Sequence, residues 1–141
     1  MILRATIPGR PKAKDRGRHG KSGHVFTPKA TQVWESGAAM RLLNAASGHV
    51  FMGPCCIRVA AFWARPQKCP ESVSEDVWAT GEAVHRPSTP DADNVLKIAM
   101  DAGNRAKIWT DDAIVVEATC VKFYAAVGDE ARVEIVVWDA E

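Results

Sequence analysis

Four aspartates and one lysine stand at spacings that could do chemistry. They lie in Pro90-Asp91-Ala92-Asp93-Asn94-Val95-Leu96-Lys97 and, after a short gap, in Trp109-Thr110-Asp111-Asp112-Ala113. Asp91 and Asp93 fall where a proline-rich loop gives way to a helix-compatible apolar run. On that reading Asp93 caps the first turn and Asp91 projects from the loop before it. Lys97 follows Asp93 by four residues and shares its helical face. Asp111 and Asp112 precede the β-branched run Ile114-Val115-Val116, at the mouth of a strand. Taken singly, such residues are most often a cap and a solvated turn, and Lys97 most simply pairs with Asp93 or Asp101. Taken together, Asp91, Asp93 and Asp112 brought close would raise one another's pKa unless a cation or Lys97 offset the charge. A hard cation such as Mg²⁺ accepts carboxylates gathered in this way and keeps several of its waters.

These two blocks, with Ala-Met-Asp-Ala at 99–102 between them, resemble the signature of RusA-type Holliday junction resolvases, of a phage or prophage type. The resemblance extends to a basic N-terminal loop and to Ala64-Arg65-Pro66-Gln67-Lys68, and so covers most of the chain. The order and spacing of the acidic blocks are its specific part. Gly103-Asn104 departs from the pattern, because a leucine often precedes that Asn in the family, and this bears on where the helix ends. The resemblance implies that Asp91, Asp93 and Asp112 are metal-binding catalytic acids, Lys97 a catalytic lysine and Asp111 a neighbour of the metal. It implies Mg²⁺ as the cofactor, with Mn²⁺ as a substitute. It further implies a homodimer with a small mixed α/β fold that nicks four-way and other branched DNA.

The elements that must position these residues can be read from the rest of the chain. Its 141 residues, 47% of them apolar, suffice for one domain with its own core. No apolar run is long enough to span a bilayer, and Met1-Ile2-Leu3-Arg4 leads into a basic loop rather than a signal sequence, so a cytoplasmic protein of a bacterial host is expected. Cys55, Cys56, Cys69 and Cys120 show no metal-binding spacing and read as reduced structural thiols, Cys69 the most exposed. The formal net charge of +1 conceals an asymmetry. Residues 1–29 hold eight Lys/Arg against one Asp, a net +7, whereas residues 30–141 hold ten against sixteen, a net −6. Arg10, Lys12, Lys14, Arg16, Arg18 and Lys21 form a basic arm suited to phosphate contact, although Gly17, Gly20 and Gly23 also give it the composition of a solvated loop.

Ile2 to Ile7 alternates and reads as a first strand, followed by the basic loop at about 9–26. Thr27-Pro28 opens a helix whose inward stripe is expected at Val33, Gly37, Met40 and Leu43, ending near Ser47-Gly48. Cys55 to Ala64 reads as a second strand. Residues 66–89 hold an acidic patch and no steady period and read as a loop, in which Trp78 serves as a core anchor or as a stacking surface for bases. His85 is a second candidate proton carrier, or merely an exposed loop histidine. A helix from about Asp93 to Ala102 buries Leu96, Ala99, Met100 and Gly103. Ile114–Tyr124 and Arg132–Trp138 then read as an antiparallel hairpin. The expected fold is α+β: one small domain, a mixed β-sheet of about four strands and two main helices, homodimeric.

The expected activity is Mg²⁺-dependent, structure-selective cleavage of DNA phosphodiesters, resolving Holliday junctions in recombination and repair. Two alternatives stand beside it: a branched-DNA-binding module without catalysis, and a metal-dependent nuclease for flaps or other nucleic acids. The basic arm argues against a small-molecule phosphatase.

Overall fold

A computed structural model describes residues 1–14, 18–19, 25–26 and 28–141, with backbone alone for Arg18–His19 and Val25–Phe26. Its centre is the strand β4, Cys55–Trp63, which is buried at every position but Arg58. A strand so apolar on both sides needs a neighbour at each edge. It finds β7 (Arg132–Asp139), antiparallel, on one side and β6 (Val115–Tyr124), parallel, on the other. Strand β1 (Ile2–Pro8) pairs antiparallel with β7, and the short β5 (Val84–His85) closes the far edge beside β6. The five-stranded order is β1-β7-β4-β6-β5, and a separate ribbon joins β2 (Arg18–His19) to β3 (Val25–Phe26).

The α+β class and mixed sheet agree with expectation, but three local expectations are corrected. β6 and β7 are not a hairpin: β4 lies between them. The reason is that β4, buried on both faces, takes the centre of the sheet and is hydrogen-bonded along both edges, a placement that no turn signal encodes. Residues 66–89 are not wholly loop, since they contain the one-turn helix α2 (Glu75–Trp78) and β5. The inward stripe of helix α1 (Lys29–Ala46) is also different. Thr31, Glu35, Ala38, Ala39, Leu42 and Ala46 are buried, whereas Val33, Met40 and Leu43 are 62%, 63% and 52% exposed. Three of the six are alanines, and this face of α1 packs against helix α3 (Ala92–Ala106) and the sheet. The predicted end of α1 is correct, with Ser47 as its left-handed cap, whereas Pro28 stands at the N-cap rather than in the first turn, and Thr27 lies outside the described residues.

Both long helices cover one face of the sheet, where Leu3, Ile57, Val59, Val133 and Ile135 meet Ala38, Leu42, Val95, Ala99 and Ala102 in one core. Helix α3 crosses from the end of β5 to a short 3-10 turn, Asp112–Ile114, which leads into β6. It thus forms the link between parallel strands β4 and β6, and both acidic blocks lie at its ends.

Candidate active site

The approach to α3 is held by two cations. Lys122, on β6, donates from Nζ to the carbonyls of Ser88 at 2.6 Å and Pro90 at 2.7 Å. Arg86 donates to the Thr89 carbonyl at 2.5 Å while its guanidinium lies 4.4 Å from the Trp63 ring centre. The proline-rich loop is therefore fixed before it delivers Asp91. Asp91 occupies the N-cap position of α3, with its carbonyl accepting from Asn94 and Val95, and Asp93 lies in the first turn. This corrects the expectation that Asp93 is the cap: the cap stands two residues earlier, at Asp91, and the helix begins at Ala92. Neither side chain makes a capping bond, although Asp93 Oδ1 accepts from the Asn94 N–H at 2.9 Å. Both carboxylates are exposed at the positive end of the helix dipole, which favours their charge. Lys97 is exposed one turn on and makes no ion pair with either Asp93 or Asp101 among the described residues.

The second block is held by a different device. Asp111 caps the 3-10 turn by accepting the Ala113 N–H at 2.8 Å, a structural duty that sets the backbone of Asp112. Asp112 Oδ2 accepts from Asn104 Nδ2 at 2.9 Å, and Asn104 Oδ1 accepts from Trp109 Nε1 at 2.6 Å. Both ends of the Asn104 amide are thus committed, and its orientation is set. Trp109 in turn lies on Gly103, where a Cβ would come within 2.5 Å of the indole. The Gly-Asn departure is therefore part of the support for Asp112, and α3 continues through it to Ala106.

Within one chain the acids fall into two groups. Asn104 lies eleven residues beyond Asp93, roughly 16 Å along the helix axis at 1.5 Å per residue. Asp112, bonded to Asn104, consequently belongs to the far end of α3 from Asp91 and Asp93. No cluster of three metal-ligating side chains is found among the described residues.

The basic arm begins beside the first group. The Lys14 N–H donates to the Asn94 carbonyl at 2.9 Å, and its ammonium pairs with Glu35 at 2.5 Å and Asp101 at 3.1 Å. Burial pulls the Lys14 pKa down, but the Glu35 and Asp101 carboxylates outweigh it and hold the value above the usual 10.5. Arg105 adds a contact to Glu35 at 3.7 Å and bonds to the Gln32 carbonyl and the Ser36 hydroxyl. Lys14 therefore ties the arm to both helices. Arg10 is exposed and Lys12 half-buried. Arg16 and Lys21 lie outside the described residues, and of Arg18 only the backbone is described.

Other candidates fall elsewhere. His85 stacks on Phe123 at the β5 edge, with centroids 5.3 Å apart. Trp78 is an anchor: its ring meets Tyr124 edge-on at 5.8 Å and carries the Arg65 guanidinium at 3.7 Å. The four cysteines are free, Cys55 and Cys56 buried and Cys69 and Cys120 half-buried, and burial pushes the Cys120 thiol up to about 11. Asn104, Glu35, Arg86 and Lys122 were not anticipated as site residues. The first had a signal in its place after Gly103, and the last in a lysine interrupting an apolar strand.

An α+β fold that presents exposed acids at a helix start beside a basic arm suits a small enzyme acting on DNA. The family described as Endodeoxyribonuclease RusA matches residues 8–137. The chain belongs to this family, and is thus an endodeoxyribonuclease of the Holliday junction resolvase type. It is also similar to Uncharacterized protein YqaN of Bacillus subtilis (strain 168), 29% identical over 140 residues that span 96% of this chain and 94% of that relative. Among the described residues no helix is long and apolar enough to cross a membrane.

Proposed function

We propose that the protein resolves four-way DNA junctions in recombination and repair by a Mg²⁺-dependent pair of nicks. The observation that carries this reading is the pair of exposed carboxylates, Asp91 and Asp93, fixed at the start of α3 beside the basic arm. Two outward carboxylates with oxygens not used in capping fit a hard cation, and Asp112 keeps Oδ1 for the same use. Mg²⁺ held there would polarise the phosphate, orient an attacking water and lower that water's pKa. Asp91 and Asp93 hold the scissile phosphate's neighbourhood negative and ready for a cation. Lys97, which pairs with no carboxylate among the described residues, meets charge that builds on the phosphoryl oxygens, and Arg10 and Lys12 hold flanking phosphates. Asp112 joins them as the third acid, with Asp111 shaping its turn.

The separation of the acids along α3 supports a homodimer, because Asp112 of one chain can meet Asp91 and Asp93 of another. Two such sites related by a two-fold axis suit two strands of like polarity at a junction. The test is cleavage of a synthetic four-way junction, with linear duplex and flap controls, by wild type and Asp93→Asn in Mg²⁺ or Ca²⁺. Paired nicks that need Mg²⁺ and vanish in the variant, with binding retained, are expected. Equal cutting of the controls would favour a less selective nuclease.

A further inference from the structure

Beside the proline-rich loop lies a cavity of about 820 Å³ that the cleavage chemistry leaves unused. Trp34, Trp63, Val33 and Pro90 give it apolar and aromatic walls, and the exposed cations Arg10 and Lys29 mark its mouth. Trp63 is almost wholly buried and Trp34 half-buried, so the aromatic surface lies deeper than the charge. The indole Nε1 of Trp34 is sealed from solvent with no hydrogen-bond partner among the described residues. A buried donor left unpaired is uncommon and costly, so a shift of the half-buried indole toward an acceptor in the cavity would be favourable.

We propose that this cavity receives a single unstacked nucleobase of the bound DNA, with Arg10 and Lys29 holding the phosphates on either side of it. The inference rests on the reading of the protein as a junction-cutting enzyme and adds a site to it. Three observations select this occupant. Aromatic walls under a cationic mouth match a nucleotide, whose flat base stacks while its backbone stays charged and wet. Ring nitrogens and carbonyl oxygens on a base edge are acceptors of the kind the Trp34 N–H lacks. Pro90 joins the cavity directly to Asp91, so a strand whose phosphate reaches the acids carries its neighbouring bases past the mouth. Bases at a branch point have already lost part of their stacking, which makes extrusion cheapest there. The pocket would then select where along the branch the cut falls.

The experiment is a set of four-way junctions, each with one abasic site, the site moved a nucleotide at a time through the branch point. Binding is measured in Ca²⁺ for wild type, Trp34→Leu and Ala30→Phe. Ala30 is an exposed lining residue of α1, so its enlargement obstructs the mouth without entering the core and decides the matter should Trp34→Leu not fold. One abasic position near the cut is expected to weaken wild-type binding about tenfold, the scale of a lost base–aromatic stack, and to leave the already weakened binding of the variants unchanged. Losses that are the same in wild type and Ala30→Phe at every position would overturn the proposal. Cleavage of the intact junction in Mg²⁺ is followed in parallel: cutting without a position-specific loss rejects the pocket alone, and a position-specific loss without cutting rejects the catalytic reading alone.

Discussion

Asn104 commits both ends of its amide, one to the Asp112 carboxylate and one to the Trp109 indole, and so sets the orientation of an acid it precedes by eight residues. Groups of this kind act through the residue they hold. Asn104→Leu is expected to lower turnover by about 10- to 100-fold and to raise the Mg²⁺ concentration that gives half-maximal rate. Junction binding in Ca²⁺ should be unchanged. A rate loss with no change in Mg²⁺ dependence would reduce Asn104 to a packing role. Asp111 shows the contrast, since its side chain is used in closing a turn, and nothing in the sequence separates it from Asp112.

At the level of elements, α3 combines a site at its start with a close approach at its end. Gly103 lets the Trp109 indole lie on the helix backbone. Gly103→Ala would ordinarily gain about 1 kcal/mol in helix propensity. Here its methyl meets an indole that Asn104 holds in place, and overpacking of about 1–3 kcal/mol is the larger effect. A lower urea midpoint is expected, and an unchanged one would mean that Trp109 yields without cost. The Lys14 link between the arm and the two helices makes a second prediction. Lys14→Met removes the closer of the two cations that pair with the nearly buried Glu35 among the described residues and leaves the Arg105 contact at 3.7 Å, and a loss of about 3 kcal/mol is expected. Because the folded pKa of Lys14 is raised, its stabilisation is complete below the usual value of 10.5 and fades as pH climbs through the folded value. The stability gap between wild type and Lys14→Met should therefore stay constant from neutral pH to about 10 and narrow above it, as measured by urea unfolding across that range.

For the whole molecule, the decisive question is which chain completes a site. Mixing Asp93→Asn with Asp112→Asn, each inactive alone, gives heterodimers after subunit exchange. If a site uses Asp91 and Asp93 of one chain with Asp112 of its partner, one of the two sites in a heterodimer is intact and nicking returns. If all three acids act within one chain, both sites are broken and nicking stays absent. Recovery of nicking is expected, because α3 holds its two acid groups roughly 16 Å apart along its axis.

The sequence by itself marked the candidate acids and most of the elements. Asp91, Asp93, Lys97 and Asp112 stand out by type and spacing, the basic arm by charge, and β1, β4, α3 and the C-terminal end of α1 by period and punctuation. Those signals are local, and hydrogen bonds within a helix or alternation along a strand record them directly. The tertiary structure alone decided that β7 pairs with β4 rather than β6, that α1 turns alanines inward and Val33, Met40 and Leu43 outward, and that Lys14 serves as a tie. It also decided the separation of the acids along α3. Each of these depends on which distant surfaces share a core, and that is fixed by mutual burial of residues far apart in the chain.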